Sequence, residues 1–213
     1  MSAEELQALW ISLKVAATAT ALAAIPGVAA GWWLARSRSR WRALVEALVM
    51  LPLLLPPVAT GVVVLVVIAN ALPELALTWP AAALATSIIV LPLVAQSVRA
   101  GVEGVDPELE GIARTLGASG FRVFRTVTLP LAGRGIATGL MLAGCKAMGE
   151  FGATIVVAGN IPGKTQTLAL LMFNLAETAR LGEAMRVLAI ASVLSLAIAT
   201  AAIWIRSKGG GAA

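Results

Sequence analysis

Five apolar stretches, each long enough to cross a bilayer, constrain this chain more than any other feature. The hydrocarbon core of a membrane is about 30 Å thick and takes roughly 20 helical residues at ~1.5 Å each. Runs of that order occupy approximately 9–35, 44–70, 80–98, 135–158 and 187–205. They predict an all-α membrane protein with five transmembrane helices. The charged fraction supports this, since it is only 13% where soluble domains average about 25%. The first stretch opens on Glu4 and Glu5 rather than on basic residues, and it exceeds the roughly 7–15 apolar residues of a signal peptide. It reads as a retained span.

Basic residues alternate between the segments that join these runs. Arg36, Arg38, Arg40 and Arg42 lie between the first and second runs, and Arg99, Arg114, Arg122, Arg125 and Arg134 between the third and fourth. Arg206 and Lys208 follow the fifth. The opposite side holds only Lys164, Arg180 and Arg186, while Lys14 and Lys146 fall within runs. The positive-inside rule therefore predicts an external N-terminus and a cytoplasmic C-terminus. The net charge of +5 is a topology signal, because the basic residues punctuate apolar runs instead of forming one solvated face, and no nucleic-acid partner is expected. With no His and a single Cys, Cys145, neither a disulfide, a His-based triad nor a His/Cys metal cluster can be assembled, so no enzyme and no metal are expected.

Prolines 52, 56, 57 and 92 interrupt the second and third runs, where each removes a backbone donor. Lipid cannot satisfy the freed carbonyls, so they call for neighbouring helices or a water-lined cavity, although ordinary kinks would leave the same trace. The fourth run carries Gly135, Gly139, Ala143 and Ala147 at the four-residue spacing that lets helix backbones approach closely. Lys146 and Glu150 fall near that stripe as an (i, i+4) pair. Intramembrane charges are functional candidates by default, and a self-neutralised packing pair is the competing reading. Lys14 reads as a residue snorkelling to the outer interface.

Residues 99–134 are too long for a plain connector. Asp106-Pro107-Glu108 reads as an N-cap, a first-turn proline and an acidic first turn, and Gly117 as the stop. Between them Leu109, Ile112, Ala113 and Leu116 repeat at i, i+3, i+4 and i+7. A second short helix is predicted from Ser119 with Phe121, Val123 and Phe124, before Leu129-Pro130 re-enters the membrane. Such a pair can lie on the membrane surface or insert its apolar face into a partner's groove, and the defined caps favour the latter.

The segment Glu110-Gly-Ile-Ala113-Arg-Thr-Leu-Gly117, followed by Val127-Thr-Leu-Pro130, resembles the cytoplasmic "EAA" loop of ABC-importer permeases. Counting back from Gly117 places the motif's glutamate on Gly111, with Glu110 one position early. Gly149-Glu150-Phe151-Gly152-Ala153-Thr154 and the Asn160-Ile-Pro-Gly-Lys164-Thr-Gln-Thr-Leu168 run are similar to permeases of molybdate importers in particular, with sulfate permeases as relatives. The resemblance implies a type I ABC-importer permease fold in a single domain over 1–213, with a coupling loop about 99–134 and an external loop about 159–186. It implies that Asp106, Leu109, Glu110, Ile112, Ala113, Leu116, Gly117, Phe121, Phe124 and Pro130 build the ATPase-docking loop. Lys146, Glu150, Phe151, Thr154 and Asn160 are the candidate translocation pathway.

The same resemblance implies a homodimer in the cytoplasmic membrane, two ATPase subunits on its inner side, and an external substrate-binding protein delivering an oxyanion. This chain would carry no cofactor, since ATP and Mg would be held by the partner ATPase. No regulatory domain is expected after Arg206. Ala158-Gly-Asn-Ile-Pro-Gly163-Lys164-Thr165 matches a relaxed phosphate-loop pattern, but it follows a span on the external side and lacks the strand and acidic magnesium ligand that such a loop requires. Sulfate, tungstate or another oxyanion could replace molybdate. An ion-coupled secondary carrier using Lys146 and Glu150 as relays, and a membrane-embedded enzyme, are the rivals from other classes.

Overall fold

The computed structural model describes residues 1–208, with side chains for all of these except 201, 202 and 204–208. The side chains of Arg206 and Lys208, counted above toward the inner side, thus lie outside the described residues, as does the stretch after Lys208. The described chain is helical throughout, its helices joined by short turns.

α1 (Ala3–Arg36) begins at a capping box: Ser2 Oγ accepts the Glu5 amide and the Glu5 carboxylate accepts the Ser2 amide. Both satisfy donors that a helix start leaves unpaired. The stretch expected as one crossing over 44–70 is instead two helices, α2 (Arg42–Leu54) and α3 (Pro57–Ala71), bent by 104°. Pro56 and Pro57 supply no amide hydrogen, and each forces the residue before it away from helical geometry. Leu55 and Pro56 are accordingly extended, with ψ of 149° and 133°.

α4 (Trp79–Glu103) is the hub, with 67% of its apolar window buried. Pro92 lies inside it without ending it. α4 runs parallel to α1: Gly27 faces Val94, and Gly31 faces Ala95 and Val98. A Cβ on Gly31 would come within 2.3 Å of the Ala95 carbonyl oxygen, so glycine alone permits this approach. Below α4 lie α5 (Pro107–Thr115) and α6 (Gly120–Val123).

The fourth span differs from its expected limits of 135–158. One helix of 29 residues runs from Gly120 to Met148, through α6, a widened π turn at Phe124–Thr128 and α7 (Leu129–Met148). Pro130 cannot donate to the carbonyl one turn back, and the widened turn, closed by the Leu129 amide on the Phe124 carbonyl, accommodates it. α7 runs antiparallel to α4, with Gly135 against Ser97 and Gly101 and with Gly139 against Val94. The small-residue stripe of the sequence is therefore the α4 contact, with Ala143 and Ala147 buried beyond it.

After α7 the chain breaks at Gly149–Phe151 and resumes as α8 (Gly152–Ala158), packed against α3 and α4. The segment 159–186, expected as an external loop, contains α9 (Leu168–Glu177) and the first turns of α10 (Leu181–Lys208). The Leu168 amide donates to Ser12 Oγ at 2.8 Å, and Leu168, Leu171 and Leu175 are buried with Ala8. The apolar content of this segment explains why it folds back onto α1. Among the described residues four helices are long and apolar enough to span a membrane, α1, α4, α6–α7 and α10, and the bent α2–α3 pair is a fifth candidate.

Candidate functional site

Two places in the fold collect the residues singled out by the sequence. The first is the helix pair between α4 and α7. Asp106 Oδ1 accepts the Glu108 amide at 2.9 Å and Pro107 opens α5, as the sequence predicts. At the other end the Gly117 amide donates to the Arg114 carbonyl and the Ala118 amide to the Ala113 carbonyl. This Schellman closure needs the positive φ of +84° that Gly117 supplies. Ser119 caps α6.

Between these caps Leu109, Ile112, Leu116 and Phe121 are exposed, Leu116 at 81% and Phe121 at 74%. An apolar stripe of this exposure, on helices with defined caps, has no partner among the described residues. Ala113 is half-buried and Pro130 exposed. Two of the expected docking residues turn the other way. Phe124 packs edge-on against Trp32 of α1 with ring centroids 5.6 Å apart. Glu110 is buried, its Oε1 receiving Arg36 of α1 and, at 2.6 Å, the Thr128 hydroxyl. Arg36 and Thr128 were not candidates from the sequence, where Arg36 counts only as a topology charge. Their separation from Glu110 along the chain hides the contact.

The second place is the break between α7 and α8. The Lys146 ammonium pairs with Glu150 Oε2 as the (i, i+4) spacing predicts, and Glu150 Oε1 accepts the Ala153 amide at 3.3 Å. The carboxylate thus joins the last turn of α7, where a cation is favoured by the helix dipole, to the first turn of α8, where an anion is. Glu150 is 2% exposed, while the Lys146 side chain keeps 39% of its surface. Phe151 stacks obliquely on Phe173 of α9, centroids 4.8 Å apart. Thr154 is fully buried, and its hydroxyl, like the Asn160 side-chain oxygen, has no hydrogen-bond partner among the described residues.

The break in the second span lies alongside this one. A Cβ on Gly152 would sit 3.0 Å from Pro57 Cβ, and one on Gly61 would sit 2.9 Å from Ala153 Cα. Two interrupted helices therefore meet at one level of the bundle, next to its buried carboxylate. Irregular backbone inside an apolar layer is tolerated where protein or a water-lined cavity covers it.

Two further sequence features have a definite place in the fold. Lys14 holds its ammonium 4.0 Å from the centroid of the Trp79 ring, a cation–π contact. The phosphate-loop look-alike is the turn between α8 and α9: the Thr165 and Gln166 amides donate to the Ile161 carbonyl, Thr165 Oγ1 accepts the Ile161 amide, and no strand precedes it. At the end of α9, Arg180 makes two 2.7 Å bonds to Glu183, which raise its guanidinium above the ordinary value, and Arg186 reaches Glu5 and Glu183.

Comparison with known proteins bears on the chain as a whole. The chain is 40% identical over 185 residues to the molybdenum transport system permease protein ModB of Escherichia coli K12, covering 82% of this chain and 81% of that one. It is 35% identical over 216 residues to the ModB of Haemophilus influenzae, covering 96% and 94%. The sulfate transport system permease protein CysW of Synechocystis is 35% identical over 205 residues, covering 90% and 74%. Among solved structures, a chain of the MetNI methionine ABC transporter in an inward-facing conformation superimposes with a TM-score of 0.80 at 18% identity, covering 98% of this chain and 99% of that one. A chain of an amino acid ABC transporter gives 0.73 at 19%, covering 96% and 94%. At those identities the likeness is one of fold. Since residues 27–206 also match the family described as the binding-protein-dependent transport system inner membrane component, the chain belongs to that family.

Proposed function

We propose that this chain is the translocating subunit of an ATP-driven importer of molybdate. It is a multi-pass inner-membrane permease component without catalytic activity of its own. The observation that carries the proposal is the exposed stripe Leu109, Ile112 and Leu116 along a helix fixed by Asp106 and Gly117, with Phe121 exposed on the short helix that follows. An apolar helix face of this kind fits a groove on a soluble partner. On this reading the partner is the ATPase, which binds ATP and Mg, and Asp106, Leu109, Glu110, Ile112, Ala113, Leu116, Gly117, Phe121, Phe124 and Pro130 belong to the loop that meets it.

The parallel course of α1 and α4 supports a five-span topology, because the chain must return between them and only the bent α2–α3 pair is available. α2 and α3 are about 20 and 22 Å long, so neither crosses a 30 Å layer alone. With the basic segments inside, the N-terminus is external and the C-terminus cytoplasmic. Residues 1–213 form one permease domain, with the coupling segment at about 99–134 and the external segment at about 159–186 facing the binding protein.

Two copies would line the pathway. α2 has no buried residue, and only 11% of the apolar window of α10 is buried, which leaves broad apolar faces for a second copy and for lipid. Lys146, Glu150, Phe151, Thr154 and Asn160 gather at or beyond the α7–α8 break, where Lys146 offers a cation to a passing oxyanion. The anion assignment rests on the molybdenum permeases at 35–40% identity. The sulfate permease at 35% makes sulfate the competitor.

Proteoliposomes holding this chain, its ATPase and its binding protein should take up radiolabelled molybdate only with ATP inside. Excess sulfate should compete poorly. Uptake that ignores ATP but collapses with an ion gradient would replace the proposal with an ion-coupled carrier.

A further inference from the structure

Glu110 is the only buried residue of α5, and its carboxylate accepts hydrogen bonds from Arg36 and Thr128. A carboxylate taken out of water is costly unless paired and hydrogen-bonded, and breaking such a set is costlier than never having built it. Arg36 is the last residue of α1, where the helix dipole already favours a cation. Thr128 closes the π turn that leads into α7. One side-chain oxygen thus ties the middle of α5 to the foot of α1 and to the foot of α7.

The apolar attachments lie outside α5: Val105 and Val123 are buried on either flank, and Phe124 rests on Trp32. α5 itself presents Leu109, Ile112 and Leu116 outward. Beside the chain connections at its two flanks, Glu110 is therefore the polar side-chain link by which a displacement of α5, by whatever grips that face, reaches α1 and α7.

We propose that Glu110 is the positioning residue that converts movement of α5 into movement of α1 and α7, with Arg36 and Thr128 as its two receivers. The glutamate serves the inside of the permease and not the partner's surface. This rests on the docking role proposed above, so the test must separate the two.

The test uses the full complex in proteoliposomes, and the variants Glu110→Gln, Glu110→Ala, Arg36→Ala, Thr128→Val and the exchange Arg36→Glu with Glu110→Arg. Three quantities are read: ATPase retained on purification, ATP hydrolysed, and radiolabelled molybdate taken up. Glu110→Ala and Arg36→Ala should keep the ATPase bound and hydrolysing while uptake per ATP falls about fivefold or more, the lower end of ordinary coupling between sites. Glu110→Gln keeps the shape and the accepting oxygen but loses the charge, Thr128→Val keeps the shape and the Arg36 pair, and both should fall less. The exchange variant should recover part of the loss.

Unchanged uptake per ATP in Glu110→Ala and Arg36→Ala overturns the proposal. So does loss of the ATPase in proportion to uptake across all variants, which would make Glu110 a scaffold for docking alone. If wild-type permease retains no ATPase, the docking role itself fails.

Discussion

The Lys146 ammonium rests on the Glu150 carboxylate across the point where α7 stops, with the carboxylate buried and the ammonium partly exposed. The two halves of the pair are therefore unequal. Lys146→Ala strands a buried anion and should destabilise the protein by ~3–5 kcal/mol, whereas Glu150→Ala strands a cation that can still reach solvent and should cost less. The double variant should be less impaired than Lys146→Ala alone, because the pair neutralises itself. Thermal unfolding in detergent and uptake assays on the three variants check this. A double variant as damaged as the sum of the singles would assign the two charges independent roles.

Ile112 and Gly117 test the docking face from opposite directions. Ile112→Asp puts a charge into the centre of the exposed stripe and should cost about 2 kcal/mol or more of association, roughly a 30-fold loss of affinity. Gly117→Pro cannot adopt the positive φ and lacks the amide that closes the helix. Both should lose the ATPase on co-purification while membrane insertion is unchanged.

Gly31 is a steric test of the α1–α4 seam. Alanine there meets the Ala95 carbonyl oxygen at 2.3 Å, and both partners are helix backbone, so the cost should be ~1–3 kcal/mol of overpacking. Gly111→Ala, whose new methyl would meet nothing within 4 Å, is the control and should be neutral or gain up to ~1 kcal/mol of helix propensity. Unfolding midpoints of the two variants compared with wild type decide the matter.

Pro56→Ala with Pro57→Ala restores two backbone donors at the 104° bend. The second span should straighten toward a continuous helix and transport should fall. Spin labels at Leu48 and Val66, both exposed, in a background with Cys145→Ser, should report a longer separation than in the chain with its prolines. An unchanged distance would mean that packing of α3 on α8 holds the bend without the prolines.

Features governed by near neighbours in sequence were legible before the structure. The spans follow from run length, the ends of α5 from Asp106 and Gly117, the Lys146–Glu150 pair from helical spacing, and the α4-facing stripe from small residues every fourth position. Pro56 and Pro57 announced a disturbance but not a right-angled one, since the angle depends on what α3 packs against. The stop at Met148 is hidden in the sequence because 149–158 is apolar apart from Glu150 and carries no proline; Gly149 and Gly152 are the available signal. The partnership of Glu110 with Arg36 could not be read, because it joins residues 74 positions apart. The α9 segment was taken for a loop because it is too short to span, although its leucines are spaced to pack on α1.

The helix from Gly120 to Met148 runs for 29 residues, about 44 Å, with a single widened turn and no interruption. Its lower end carries Phe121 among the exposed apolar side chains, and its upper end carries the ammonium that holds Glu150. The exposed hook and the buried Glu150 carboxylate thus stand at the two ends of one continuous strut, whereas the second span is divided at Leu55–Pro57 into two arms.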